Sequence, residues 1–309
     1  MRRSFPSSPP EASSEYEAAL RGPAHRWRDP GVIAVSGADR ISFLQGQLTQ
    51  EVRDLGPGES RPAAGLTPKG KLIYFGRALA RPEEILLLID ASARGAVLAH
   101  LSKYAVFQKV AVRDASGEFL RLALYGTGPL LPEPPSGLVR LPPEDEFAGE
   151  LVGPASSREP LERSLGALGS VAIGTEAAEV LRVEAGRPRL GQDADESNLP
   201  DEVGLQKAIA PDKGCYVGQE VVARLRTYGR VNRRLVGFRF PNRTVARGAV
   251  FPDPKKAGHE LARVTSSVCS PRFGPIGLGL AFRDVAEGAT LASPDDHDAV
   301  AVVHAIPFA

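Results

Sequence analysis

Lys213-Gly214-Cys215-Tyr216-Val217-Gly218-Gln219-Glu220 is the stretch on which the reading of this chain turns. Two glycines bound a short loop. Val221, Val222 and Leu225 then recur at helical spacing, so the segment predicts a loop that opens a helix. Arg224 and Arg226 fall near that helix's C-terminal end, where the dipole favours cations. Cys215 then stands close to a helix N-terminus with Lys213 beside it, and both effects favour a thiolate. The same cysteine also reads as a small side chain filling a tight turn. Cys269, ahead of Ser270-Pro271, reads as an ordinary strand-end residue.

Beyond Arg234 the texture becomes β-rich. Short apolar runs at Leu235–Phe240, Leu261–Val268, Leu278–Phe282 and Ala299–Ala305 are separated by Gly and Pro turns, which predicts a small antiparallel barrel. Upstream, Gly31–Ser36 reads as a buried strand, with Asp39 as N-cap of a helix carrying Ile41, Leu44, Leu48, Val52 and Leu55 on one face. Thr67-Pro68-Lys69-Gly70 reads as a hairpin turn before a strand at Leu72–Ala80, followed by a strand at Glu84–Asp90, a helix over about Ala93–Tyr104 and a strand at Lys109–Arg113. This is α+β order, not a run of regular βαβ units. Pro129–Pro160 is rich in Pro, Glu and Gly and reads as a joint between lobes, with a short strand possible at Leu138–Leu141. Glu176–Glu184 is helical in pattern, and Gly186–Pro211 is a long loop of the kind that often carries function.

The bulk properties bound the function. The formal net charge is +1, so no global field draws the 309-residue chain to nucleic acid or a membrane. No apolar run is long enough to span a bilayer. The N-terminal residues mix Arg, Ser and Pro with Glu11, Glu15 and Glu17, which argues against a secretory or organellar leader and for a disordered tail over 1–24. Two cysteines suit a reducing cytoplasm, and with no C-x-x-C or H-x-x-x-H pair a protein-only metal site is not expected.

KGCYVGQE closely resembles the signature of YgfZ-type proteins of the glycine cleavage T-protein (aminomethyltransferase) superfamily. Further stretches resemble the family in the same order: GADRISFLQGQLTQE at 37–51, LTPKGK at 66–71, LRVEAGRPRLGQ at 181–192 and RVTSSVCSP at 263–271. The resemblance implies a three-lobed ring, two α+β lobes over 25–232 and a C-terminal antiparallel β-barrel over 233–309, around a central hole that takes tetrahydrofolate or a one-carbon derivative. It assigns Glu184 to the pterin, whose edge of donors a carboxylate accepts in two parallel hydrogen bonds. By residue type alone, Glu184 reads instead as a cap or a partner of Arg182 or Arg187. The folate tail is anionic and calls for a cation, for which Arg182, Arg187, Lys213 and Arg224 are candidates.

The chain departs from the enzyme branch. The aminomethyltransferase carries an Asp on the strand after its K-G turn, and here Tyr74 and Phe75 stand at the acidic positions; neither supplies a carboxylate at neutral pH. Cys215 in turn marks the branch linked to iron–sulfur enzymes. The resemblance therefore implies a cytoplasmic, folate-binding accessory protein for iron–sulfur cluster assembly or repair and tRNA modification, with iron–sulfur enzymes or assembly factors as partners and Cys215 as its functional thiol. The alternatives are a folate-dependent one-carbon transferase and a folate-independent protein-binding scaffold.

Overall fold

Apolar residues alternating along one face make the strands, and apolar steps of three and four make the helices. The computed structural model describes residues 10–127, 131, 135–144, 147–254, 256, 258–293, 296 and 298–308. In chain order its elements are α1 (Pro10–Arg21), β1 (Ala24–Arg28), β2 (Gly31–Ser36), α2 (Arg40–Gln47), β3 (Ser60–Leu66), β4 (Leu72–Ala80), β5 (Glu84–Ile89), α3 (Arg94–Ala105), β6 (Ala111–Asp114), β7 (Phe119–Tyr125), β8 (Val139–Leu141) and β9 (Gly149–Pro154). There follow α4 (Arg158–Ala167), β10 (Val171–Ala172), α5 (Thr175–Glu184), α6 (Gln219–Tyr228), β11 (Arg233–Arg239), β12 (Val250–Pro252), β13 (Glu260–Ser270), β14 (Gly274–Phe282), β15 (Thr290–Ala292) and β16 (Val300–His304).

Three sheets organise them. One has the order β3-β4-β5-β2-β6, a second β10-β1-β7-β9-β8, and the third is the six-stranded antiparallel sheet β12-β13-β14-β11-β16-β15 of the C-terminal barrel. The first two pack face to face through Val32, Leu79, Leu86 and Leu88 against Phe119, Leu141 and Val152. A central cluster then joins all three lobes: Ala64, Leu66 and Leu72 of the first sheet, Val183 of α5, Val222 of α6, and Leu235, Ile276 and Leu278 of the barrel. The fold is therefore α+β, two α+β lobes and a barrel, as the residue pattern and the resemblance imply.

Several expectations need correction. The disordered tail over 1–24 gives way to helix from Pro10, because Tyr16 and Ala19 are buried against α5 and the second sheet. The helix that begins at Arg40 stops at Gln47, not near Leu55. Leu48 turns extended and bridges Gly65, and the Thr49 hydroxyl bonds Ala208 O at 2.6 Å. Val52 and Leu55 still face the same core from non-helical backbone, which is why the helical period outran the helix. Asp39 does not cap the helix with its side chain; Oδ2 accepts from the Lys109 amide at 2.8 Å. The presumed joint at 129–160 supplies β8 and β9, both paired within the second sheet; residues 129–130, 132–134 and 145–146 of that region lie outside those described.

Candidate functional site

The signature loop is a structural junction. Gly218 has φ +85°, and a Cβ there would lie 2.7 Å from Thr67 O, so only glycine lets the loop approach the β3–β4 turn. Lys213 is buried, and its ammonium donates to the carbonyls of Gln45, Leu48 and Gln50 at 2.8, 2.6 and 3.0 Å. A cation placed on carbonyls in the last turn of α2 and just beyond it satisfies them and complements the helix dipole. Burial pushes this ammonium down to about 8, against the opposing pull of Glu51. Gly214 and Cys215 are exposed, Tyr216 is half-buried on the central cluster, Gln219 begins α6, and Glu220 and Arg224 are exposed on it.

The resemblance places a pterin partner at Glu184, and the structure shows what that carboxylate touches. Glu184 is the last residue of α5, and its carboxylate accepts from Tyr16 Oη at 2.9 and 3.0 Å and from Ser270 Oγ. It ties α1 to the barrel, and it does not line the cavity described below. Burial raises its pKa, offset in part by the Ser270 and Tyr16 hydroxyls. Arg182 is likewise committed. Its guanidinium meets Glu179 and Asp193, each at 2.7 Å, and the Ser266 hydroxyl at 2.7 Å, so it clasps α5 to the following loop and to β13 while one face borders the cavity.

The cavity lies where the three lobes meet. A chamber of about 460 Å³ is walled by Phe75, Arg77, Leu205, Lys207, Leu235 and Ile306. That volume suits a small organic ligand, and the lining mixes apolar side chains with Arg77, Arg187 and Lys207. A smaller chamber of about 100 Å³ adjoins it, lined in part by Arg26, Arg28, Arg121 and Tyr125, and the two share Phe75, Gly76, Arg77, Glu144, Arg187 and Pro188. β4 delivers its residues to the cavity by alternation. Tyr74 points into the core, its ring over Gly65, and Phe75 faces the hollow. At the two positions where the resemblance led to an acid, only Phe75 touches the cavity, and it is apolar.

The electrostatics there rest on arginine. Arg121 is 4% exposed and donates to Glu150 at 2.6 Å, while Arg28 takes the same carboxylate at 3.0 Å. Burial alone raises the pKa of Glu150, but Arg121 and Arg28 hold it down at about 2. Arg77 meets Glu144 at 3.1 Å, and Arg187 pairs with the same carboxylate. Burial and the nearby Arg28, Arg121 and Arg77 push Arg187 down to about 9. Gly186, at φ +69°, turns the chain after α5 so that Arg187 enters the cavity wall. Arg187 was legible as a candidate cation. Arg77, Glu144 and Phe75 as cavity residues were not, because no local pattern tells which side of a lobe junction a side chain meets. Among the described residues no cluster of three or more metal-ligating side chains forms, and no helix is long and apolar enough to cross a membrane.

This architecture is that of aminomethyltransferase T. The crystal structure of the glycine cleavage aminomethyltransferase T from Bartonella henselae superposes with a TM-score of 0.83 at 22% identity, covering 99% of this chain and 91% of that one. No family model matches the chain. A putative chloroplastic transferase of Arabidopsis thaliana is 28% identical over 79% of this chain, which spans only 62% of that relative's length. The tRNA-modifying protein YgfZ of Serratia proteamaculans is 30% identical over 75% of this chain and 74% of its own. The chain belongs to the family of the YgfZ proteins and has the fold of aminomethyltransferase T.

Proposed function

We propose that this chain is a folate-binding accessory protein, which takes tetrahydrofolate or a one-carbon derivative into the central cavity and supports iron–sulfur enzymes without performing aminomethyl transfer. The observation that carries the reading is Phe75 on the cavity wall, where the catalytic branch of the family places a carboxylate. The chamber fits the ligand class. Its roughly 460 Å³, the Phe75 face and the apolar Leu205, Leu235 and Ile306 suit a flat heteroaromatic body, and Arg77, Lys207 and Arg187 suit an anionic tail. With Glu184 held by Tyr16 and Ser270, Glu144 is the carboxylate found in the wall of that chamber among the described residues.

Cys215 belongs to the accessory role. Its thiol is exposed on the signature loop, outside the cavity lining, in a position to meet a partner protein. One thiolate does not hold a cluster alone, so the other ligands would come from that partner. The relatives named tRNA-modifying proteins favour clients among the enzymes that modify tRNA.

Calorimetric titration with tetrahydrofolate tests the reading. Wild type is expected to bind one equivalent, and Phe75→Ala to bind about tenfold more weakly through loss of an aromatic face. No saturable heat with wild type overturns folate binding. Release of a methylene group from an aminomethyl donor onto tetrahydrofolate overturns the non-catalytic part.

A further inference from the structure

An ionic bridge stands among the residues that the two chambers share. Glu144 places its carboxylate between Arg77 and Arg187, and all three residues border both chambers. The two arginines stand on anchored backbone. Arg77 lies within β4 and also donates to Ser60 Oγ at 3.1 Å, while Arg187 follows the end of α5 and sits over the Phe147 ring at 5.3 Å. Glu144 pairs with Phe147 in an isolated antiparallel bridge, Glu144 N to Phe147 O at 3.1 Å and Phe147 N to Glu144 O at 3.2 Å. Arg77 is thus built into a strand, while Arg187 follows the turn after α5 and Glu144 stands in an isolated bridge with Phe147.

We propose that the Glu144 carboxylate is an internal competitor that occupies a carboxylate-binding subsite formed by Arg77 and Arg187, and that a ligand carboxylate displaces it. A planar carboxylate from a ligand whose body fills the larger chamber meets the same two guanidiniums in the same geometry. Removing Glu144 with nothing in its place leaves Arg77 and Arg187 beside Arg28 and Arg121 within one buried wall, a strongly anion-seeking arrangement. The subsite therefore selects carboxylate-bearing ligands over neutral ones, and the competitor sets how tightly they are held. For its natural ligand the inference rests on the folate reading, in which the carboxylate is that of the glutamate tail.

The experiment compares wild type with Glu144→Ala and the near-isosteric Glu144→Gln, each first checked for folding by circular dichroism and thermal melting. Three probes are titrated: tetrahydrofolate, tetrahydropteroate, which lacks the glutamate, and L-glutamate alone. Both variants should bind tetrahydrofolate about tenfold more tightly than wild type, the scale of freeing one charged hydrogen-bonded site. Their affinity for tetrahydropteroate should match wild type. L-glutamate should bind saturably to the variants and not to wild type, and Arg187→Gln on the Glu144→Ala background should abolish that binding. Unchanged tetrahydrofolate affinity alongside absent L-glutamate binding overturns the proposal, and so does failure of both variants to fold, which makes Glu144 a structural strut. If no protein binds tetrahydrofolate and the Glu144 variants still bind L-glutamate, the folate reading fails and the carboxylate subsite stands.

Discussion

The signature loop at 213–220 and the cavity wall around Phe75, Arg77, Glu144 and Arg187 divide the labour of this molecule. The loop is dense with recognisable residues, yet most of them serve architecture. Lys213 satisfies the carbonyls beyond α2, and Gly218 admits the β3–β4 turn. The wall is gathered from β4, the bridge at Glu144 and the exit of α5, with no local motif, and it brings an aromatic face and paired arginines to the cavity. A conspicuous stretch of sequence can thus mark a place where lobes must fit together, while a cavity is lined by residues that only the junction brings close.

Lys213→Met is the strongest way to break the comparison. It strips the donor from three carbonyls around a buried site and should cost about 2–4 kcal/mol in denaturant unfolding, with ligand affinity unchanged in the folded fraction. Intact stability with lost affinity would make the loop part of the binding site. The pH dependence has a definite sign. The folded ammonium titrates near 8, below an unfolded value of about 10.4, so between these the unfolded state binds more protons and this side chain's contribution to stability rises with pH. The deficit of Lys213→Met relative to wild type should therefore widen from pH 8 to pH 10, as chemical unfolding across that range reports.

Tyr16→Phe comes next. It removes a hydroxyl donor to the Glu184 carboxylate and should cost about 1–2 kcal/mol of stability while leaving tetrahydrofolate affinity within error. A large loss of affinity in this variant would return Glu184 to the ligand site. The smallest physical effect belongs to Cys215→Ser. An exposed thiol on an irregular loop should change stability by less than about 0.5 kcal/mol and leave folate binding alone, yet the variant should fail to complement a deletion strain. Full complementation would remove the thiol from the function and leave the loop purely architectural.

Periodicity alone reached most of the elements. β2, β4 and β5, α3, α5 and the main strands of the barrel follow from local apolar patterns, since alternation and helical spacing are properties of neighbouring residues. Where tertiary contacts overrode the pattern, the reading slipped. Val52 and Leu55 keep a helical period without a helix because the same core receives them from either side of a turn. Residues 10–21 are helical because Tyr16 finds Glu184 and the α5 surface, partners 168 positions away in the first case.

The amino-acid order by itself determined the α+β class, the C-terminal barrel, the family signature and the absence of an acid at Tyr74 and Phe75. Which of those two side chains faces the hollow, the turning of Glu184 toward α1 and Ser270, and the meeting of Arg77, Glu144 and Arg187 were decided only by the packing of three lobes. The physical reason is distance along the chain: a side chain's direction follows from its own backbone, but its partners come from segments whose position is set by burying a common core.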